Sequence, residues 1–218
     1  MEIEPIAFIR NDFKEKFGVP RQSGLVNLPS RIVLEPKFRD ENALRGLEDF
    51  THIWLIWGFS EVKTRGFSPT VRPPKLGGNI RKGVFATRSP FRPNPLGLSV
   101  VKLESIDGFT ITVTGADIMN GTPIYDIKPY LPYADSVPDA SNGWSLSERG
   151  GLLEVKFADD LLEIIPREKR QGLLEVLAQD PRPQYQNSAE RRYTMAFGEW
   201  QISFTVNGDK LTVVGVKK

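Results

Sequence analysis

Two arginines in a stiff loop are the first residues of this chain whose type and spacing suit chemistry. In Lys82-Gly-Val-Phe-Ala-Thr-Arg-Ser-Pro-Phe-Arg-Pro-Asn-Pro-Leu-Gly-Leu-Ser99, Arg88 and Arg92 stand among three prolines, between two apolar runs that read as strands. Proline fixes its own φ and drives the preceding residue towards extended backbone, so both side chains leave the loop in set directions. Preorganised guanidinium forks match carboxylate and phosphate geometry. An anion or nucleotide site is therefore the functional reading, and a rigid strand connection the plain one. A second polar cluster runs from Asp117 to Tyr130. On extended backbone Asp126, Lys128 and Tyr130 share a face at period two. A carboxylate, an ammonium and a phenol so placed suit either a structural ion pair or the lining of a site, and spacing alone leaves both open.

Composition narrows the chemistry. The chain has no cysteine and a single histidine, His52. Disulfides, thiolate ligands and Cys nucleophiles are excluded, and a His-based metal site or a Ser-His-Asp triad is not expected. His52 precedes the apolar run Ile53–Trp57 and reads as a hydrogen-bonded structural residue. No Gly-x-Gly-x-x-Gly follows a predicted strand and no Walker sequence occurs, which argues against a doubly wound nucleotide fold. No apolar run approaches the ~20 residues that span a bilayer, and no signal peptide is visible, so the expected location is cytoplasmic.

The net charge is only +2, yet it is unevenly spread. Between Val62 and Leu103 there is no Asp or Glu, whereas Lys63, Arg65, Arg72, Lys75, Arg81, Lys82, Arg88, Arg92 and Lys102 all occur, interleaved with Phe67, Phe85 and Phe91. An ordered basic face with aromatics suits a polyanion that carries stackable bases.

The elements that must position these residues are mostly strands, as 17 prolines and 19 glycines suggest. Strands are expected at Ile3–Arg10, Arg31–Leu34, Gly83–Ala86, Leu98–Ile106, Phe109–Thr114 and Pro123–Tyr130. The continuous apolar run His52–Phe59 is of strand length and reads as a buried strand. Asp107-Gly108 is read as a two-residue hairpin turn, and Asp40 as the N-cap of a short helix. Residues 136–151 read as a boundary. Beyond it, helices are expected at Asp160–Ile165 and Arg167–Ala178, with Pro166 at N1. A meander follows over Arg192–Phe197, Trp200–Val206 and Lys210–Val216. The expected fold is mainly β, a small β-barrel N-terminal domain (1–138) with a smaller α+β C-terminal domain (150–218).

Four motifs in order, Pro20-Arg-Gln-Ser-Gly24, Arg72-Pro-Pro-Lys-Leu-Gly-Gly-Asn79, Gly83–Pro95 and Gly121–Tyr130, resemble the TsaA-like family, also called TrmO. Asp180-Pro-Arg-Pro-Gln-Tyr185 and the closing strands resemble the C-terminal domain of its bacterial members. The resemblance implies an S-adenosylmethionine-dependent methyltransferase that acts on N6 of threonylcarbamoyl-adenosine, just 3′ of the tRNA anticodon. It also implies a non-Rossmann β-barrel and a homodimer. Carried over by motif, the cofactor-contacting positions are Arg21, Gln22, Ser60, Glu61, Arg88, Leu98, Thr114, Gly115, Ala116 and Asp117. Ser60 stands where the family has His, and Asn120 where it has Asp.

The N6 acceptor must lose a proton, and Asp117 and Asp126 are the candidate bases. The candidate contacts to the anticodon arm are Arg92, Lys63, Arg72, Lys75, Lys128 and Tyr130. Arg88 and Arg92 suit the cofactor carboxylate, the threonyl carboxylate or a phosphate. The competing reading is a non-catalytic barrel that captures RNA or a nucleoside.

Overall fold

The computed structural model describes residues 2–60, 66–73, 79–148, 151–182 and 191–218. In chain order the first part contains β1 (Ala7–Arg10), β2 (Pro29–Leu34), α1 (Glu41–Leu44), β3 (His52–Gly58), β4 (Thr70–Val71), β5 (Lys82–Gly83), β6 (Leu96–Asp107), β7 (Thr110–Thr114), β8 (Pro123–Pro129) and α2 (Pro132–Asp135). Six of these strands close a barrel in the order β1-β2-β7-β6-β3-β8, every pair antiparallel. Alternation drives closure: Ile9, Ile32, Ile53, Leu55, Ile111 and Ile124 point inward and are fully buried, while their strand neighbours face out. No helix among the described residues is long and apolar enough to cross a membrane.

The second part contains β9 (Glu154–Lys156), α3 (Asp159–Leu162), α4 (Arg167–Ala178), β10 (Tyr193–Phe197), β11 (Trp200–Asn207) and β12 (Lys210–Lys217). Its sheet runs β10-β11-β12-β9, and the last pair is parallel. Helix α4 buries Gly172, Leu173, Val176 and Leu177 in the core that this sheet shares.

Several sequence expectations are corrected. Strand β3 is buried on one face only: Ile53, Leu55 and Trp57 are inside, whereas Trp54 and Ile56 stay half-buried, because a barrel wall has one interior side. The segment from Gly83 is a two-residue bridge followed by a tight 3-10 turn at Val84–Ala86, which the Thr87 amide and hydroxyl close onto the Val84 carbonyl at 3.1 and 2.8 Å. The β6–β7 turn is Gly108-Phe109, one residue later than read, since Asp107 still pairs with Thr110 and Phe109 packs on the barrel core. Pro166 is the N-cap of α4 rather than N1, with extended backbone at ψ 139°. Strand β9 was not expected; three residues carry too little periodicity to be read.

The β1–β2 connection has the largest consequence for function. Its Phe13, Val26 and Leu28 belong to the core of the second part, not to the barrel. Asp12 pairs with Lys169 at 2.8 Å, Glu15 accepts the Ala196 amide at 2.7 Å, and Glu175 accepts the Asn27 amide at 2.7 Å. Gly172 permits the contact, because a Cβ there would lie 2.2 Å from Leu28 Cγ. The loop that carries Arg21 and Gln22 is thus held at both ends by packing against α4 and its sheet.

Candidate active site

The loop after β5 is built by its own side chains. Ser89 N–H donates to Thr87 Oγ1 at 3.2 Å, and Arg92 Nη1 donates to the carbonyls of Thr87 and Val84 at 2.7 and 3.3 Å. The Arg92 guanidinium also lies 5.7 Å from the Phe85 ring centre. Arg92 therefore knits the loop together, although it also borders the cavity described next. Arg88 points the other way and donates a hydrogen bond to Gln22 Oε1 on the β1–β2 connection.

Between these two loops and strands β3 and β6 lies a cavity of about 920 Å³. Trp57, Phe59, Leu98 and Met119 supply apolar walls, while Arg21, Gln22, Ser60, Arg88 and Asp117 supply polar ones. Asp117 is its only acidic wall residue among the described residues. A relay of buried groups orients that carboxylate: Trp57 Nε1–H donates to Ser99 Oγ at 3.0 Å, and Ser99 O–H donates to Asp117 Oδ1 at 2.5 Å. Burial pushes the Asp117 carboxyl above the ordinary aspartate range, against the pull of the Ser99 hydrogen bond, backbone amides and the Arg88 charge. A half-buried carboxylate aligned by the Ser99 hydroxyl at the wall of a cavity is the arrangement expected of a general base.

The relay depends on Gly97, whose Cβ, if present, would lie 2.2 Å from Trp57 Cε2. Gly97→Ala is expected to destabilise the fold by about 1–3 kcal/mol through overpacking. Activity should fall with it, because a displaced indole no longer reaches Ser99. Denaturant unfolding reads the first effect, and an unchanged midpoint would show that the ring yields freely.

Of the residues singled out in the sequence, Arg21, Gln22, Ser60, Arg88, Arg92, Leu98 and Asp117 are brought together around this cavity. Thr114, Gly115 and Ala116 approach it without lining it. The Thr114 hydroxyl donates to Glu104 at 2.7 Å, the Gly115 carbonyl accepts the Gly24 amide at 2.8 Å, and Ala116 is buried in the barrel core. Asp126 pairs with Lys128 at 2.8 Å outside the cavity, and Tyr130 packs 5.7 Å from Trp54. Arg72 lines a second, adjoining cavity. Glu61, Lys63 and Lys75 lie outside the described residues. Trp57 and Ser99 escaped the sequence reading, since an indole in an apolar run and a serine in a strand look like ordinary barrel residues.

A family model described as the tRNA-methyltransferase O N-terminal domain matches residues 8–136, and one described as the TrmO C-terminal domain matches 151–218. The chain belongs to the TrmO family. An Escherichia coli (strain K12) protein named tRNA (adenine(37)-N6)-methyltransferase is 44% identical over 216 residues, which cover 94% of this chain and 91% of that one. An Eikenella corrodens protein of the same name is 47% identical over 161 residues, 72% of this chain and 91% of that one. The crystal structure of TrmO from Pseudomonas aeruginosa superposes with a TM-score of 0.81 at 32% identity, covering 100% of this chain and 99% of that one. This TrmO-family chain therefore shares its fold with that solved TrmO structure.

Proposed function

We propose that this protein is an S-adenosylmethionine-dependent methyltransferase that modifies N6 of threonylcarbamoyl-adenosine beside the tRNA anticodon. The observation that carries the reading is Asp117, a half-buried carboxylate aligned by Trp57 and Ser99 at the wall of a cavity whose rim holds Arg21, Gln22 and Arg88.

The cavity suits the methyl donor: its apolar walls fit an adenine and a thioether-like chain, and its arginines fit a terminal carboxylate. When bound, S-adenosylmethionine supplies an electrophilic methyl group on a sulfonium. The residues of the chain do the rest. Arg21, Gln22 and Arg88 hold polar ends, Trp57 and Phe59 exclude water, and Asp117 accepts the N6 proton of the acceptor. Alignment in a dry site supplies most of the acceleration such a transfer needs. Asp126, paired with Lys128 away from the cavity, has no part in this mechanism.

The division into a methyltransferase barrel (1–138) and a smaller C-terminal domain (150–218) belongs to the same proposal, as does a location in the cytoplasm with tRNA. A homodimer is supported by the apolar strip on the outer barrel face, where Leu98 is 56% exposed beside Trp54 and Leu96.

Titration calorimetry with S-adenosylmethionine and mass spectrometry of nucleosides from tRNA treated in vitro test the function. Micromolar cofactor binding and the appearance of N6-methylated threonylcarbamoyl-adenosine are the expected results. Cofactor binding at neither micromolar nor hundreds of micromolar concentration would leave the non-catalytic barrel instead.

A further inference from the structure

The second cavity, about 1080 Å³, adjoins the first and shares with it a wall that includes Arg21, Arg88 and Phe91. Its far side is the end of α4 and the turn after it, Gln179 to Arg182, so it opens between the barrel loops and the C-terminal domain. Its charge is lopsided. Among the described residues Lys16, Arg21, Arg72, Arg81, Arg88 and Arg182 line it, against one acid, Asp180. That acid is already held by Arg182 through two bonds of 2.8 and 2.9 Å. Arg21 and Arg81 donate to neutral oxygens, the Asp180 carbonyl at 3.1 Å and Thr70 Oγ1 at 2.9 Å, so among the described residues no carboxylate is paired with either. Arg72 is exposed and has no carboxylate partner among the described residues. Phe67, in the same lining, leaves 54% of its surface to solvent.

Arg72 and Arg81, which meet no carboxylate among the described residues, together with the exposed Phe67 face suit a ligand that is both anionic and planar. A nucleotide, with its flat base and its negative charge, is attracted to such a cleft. We propose that the larger cavity seats the acceptor nucleotide of the RNA, its ring on Phe67 and its anionic groups on Arg72 and Arg81. The shared wall at Arg88 and Phe91 then directs N6 towards the chamber of Asp117. This inference rests on the function proposed above, and it gives the C-terminal domain a part in the acceptor site. The anion is either a threonyl carboxylate or a backbone phosphate, chemistries that a guanidinium reads alike.

The test uses a fluorescent RNA hairpin of the anticodon arm, prepared with and without the threonylcarbamoyl group, and the full-length variants Phe67→Leu and Arg72→Gln. Both residues are on exposed loops, and melting curves verify that the fold is kept. Phe67→Leu is expected to weaken hairpin binding by about 10-fold, as loss of a stacked base does. Arg72→Gln is expected to weaken it by a similar factor while S-adenosylmethionine affinity stays within about 2-fold. A loss confined to the modified hairpin assigns Arg72 to the threonyl carboxylate. An equal loss on both hairpins, with the log–log salt slope reduced by roughly 0.7–0.9, assigns it to a phosphate. Unchanged hairpin affinity in both variants, with wild-type protein that binds cofactor and methylates tRNA, would overturn the acceptor site and leave the proposed function standing. Wild-type protein that does neither would overturn the function itself.

Discussion

Asp117→Asn is expected to lower kcat/KM for tRNA methylation by about 100-fold or more, while the melting temperature at neutral pH holds or rises. The first effect follows from the usual contribution of a positioned general base, about 10²–10⁴ in rate. The second follows from linkage. Burial raises the folded-state pKa of Asp117 above its unfolded value, so the native state binds the proton more tightly. Stability then falls with rising pH across the window from the ordinary aspartate value up to the raised one. Asparagine removes the buried charge and still presents an oxygen to the Ser99 hydroxyl. Wild-type activity should fall as pH drops through the raised value, because the working form is the carboxylate. Unchanged turnover in Asp117→Asn at every pH would remove Asp117 from the proton path.

Arg88→Ala is expected to lower activity by at least about 10-fold at subsaturating cofactor and tRNA, with the fold intact. A lost charge-assisted contact removes about 1.5–3 kcal/mol, or roughly 10- to 150-fold. Arg88 borders both cavities and ties the loop after β5 to Gln22, so both substrates should feel its loss. It also lowers the Asp117 pKa through its charge. The acid limb of the pH–rate profile should therefore move to higher pH in the variant, a shift that a merely structural turn residue would not cause. Activity and profile both unchanged would reduce Arg88 to a loop tether.

Much of this protein could be read locally. Helix α4 was legible over Arg167–Ala178 because a 3.6-residue spacing needs no partner to be seen. The stiffness of the Arg88 loop follows from Pro90, Pro93 and Pro95, whose ring geometry acts on adjacent residues alone. The order of the four motifs was enough to suggest the family and hence the barrel, cofactor and substrate.

What the chain could not disclose by itself is which distant groups meet. Arg88 and Arg92 sit four residues apart in one motif with the same chemistry. Only the folded loop turns one onto its own carbonyls and the other across the cavity to Gln22. Asp117 and Asp126 looked equivalent as candidate bases, yet Lys128 pairs with one while Ser99 and Trp57 align the other. That relay joins β3, β6 and the segment after β7, so it depends on the register of strands far apart in sequence. The β1–β2 connection likewise reads as part of the barrel, and its Phe13, Val26 and Leu28 are buried by the C-terminal core instead. Backbone sterics and periodicity act between near neighbours and are written in the sequence. Pairing register, barrel closure and the burial that raises Asp117 come from contacts between distant segments, and those exist only once the chain has folded.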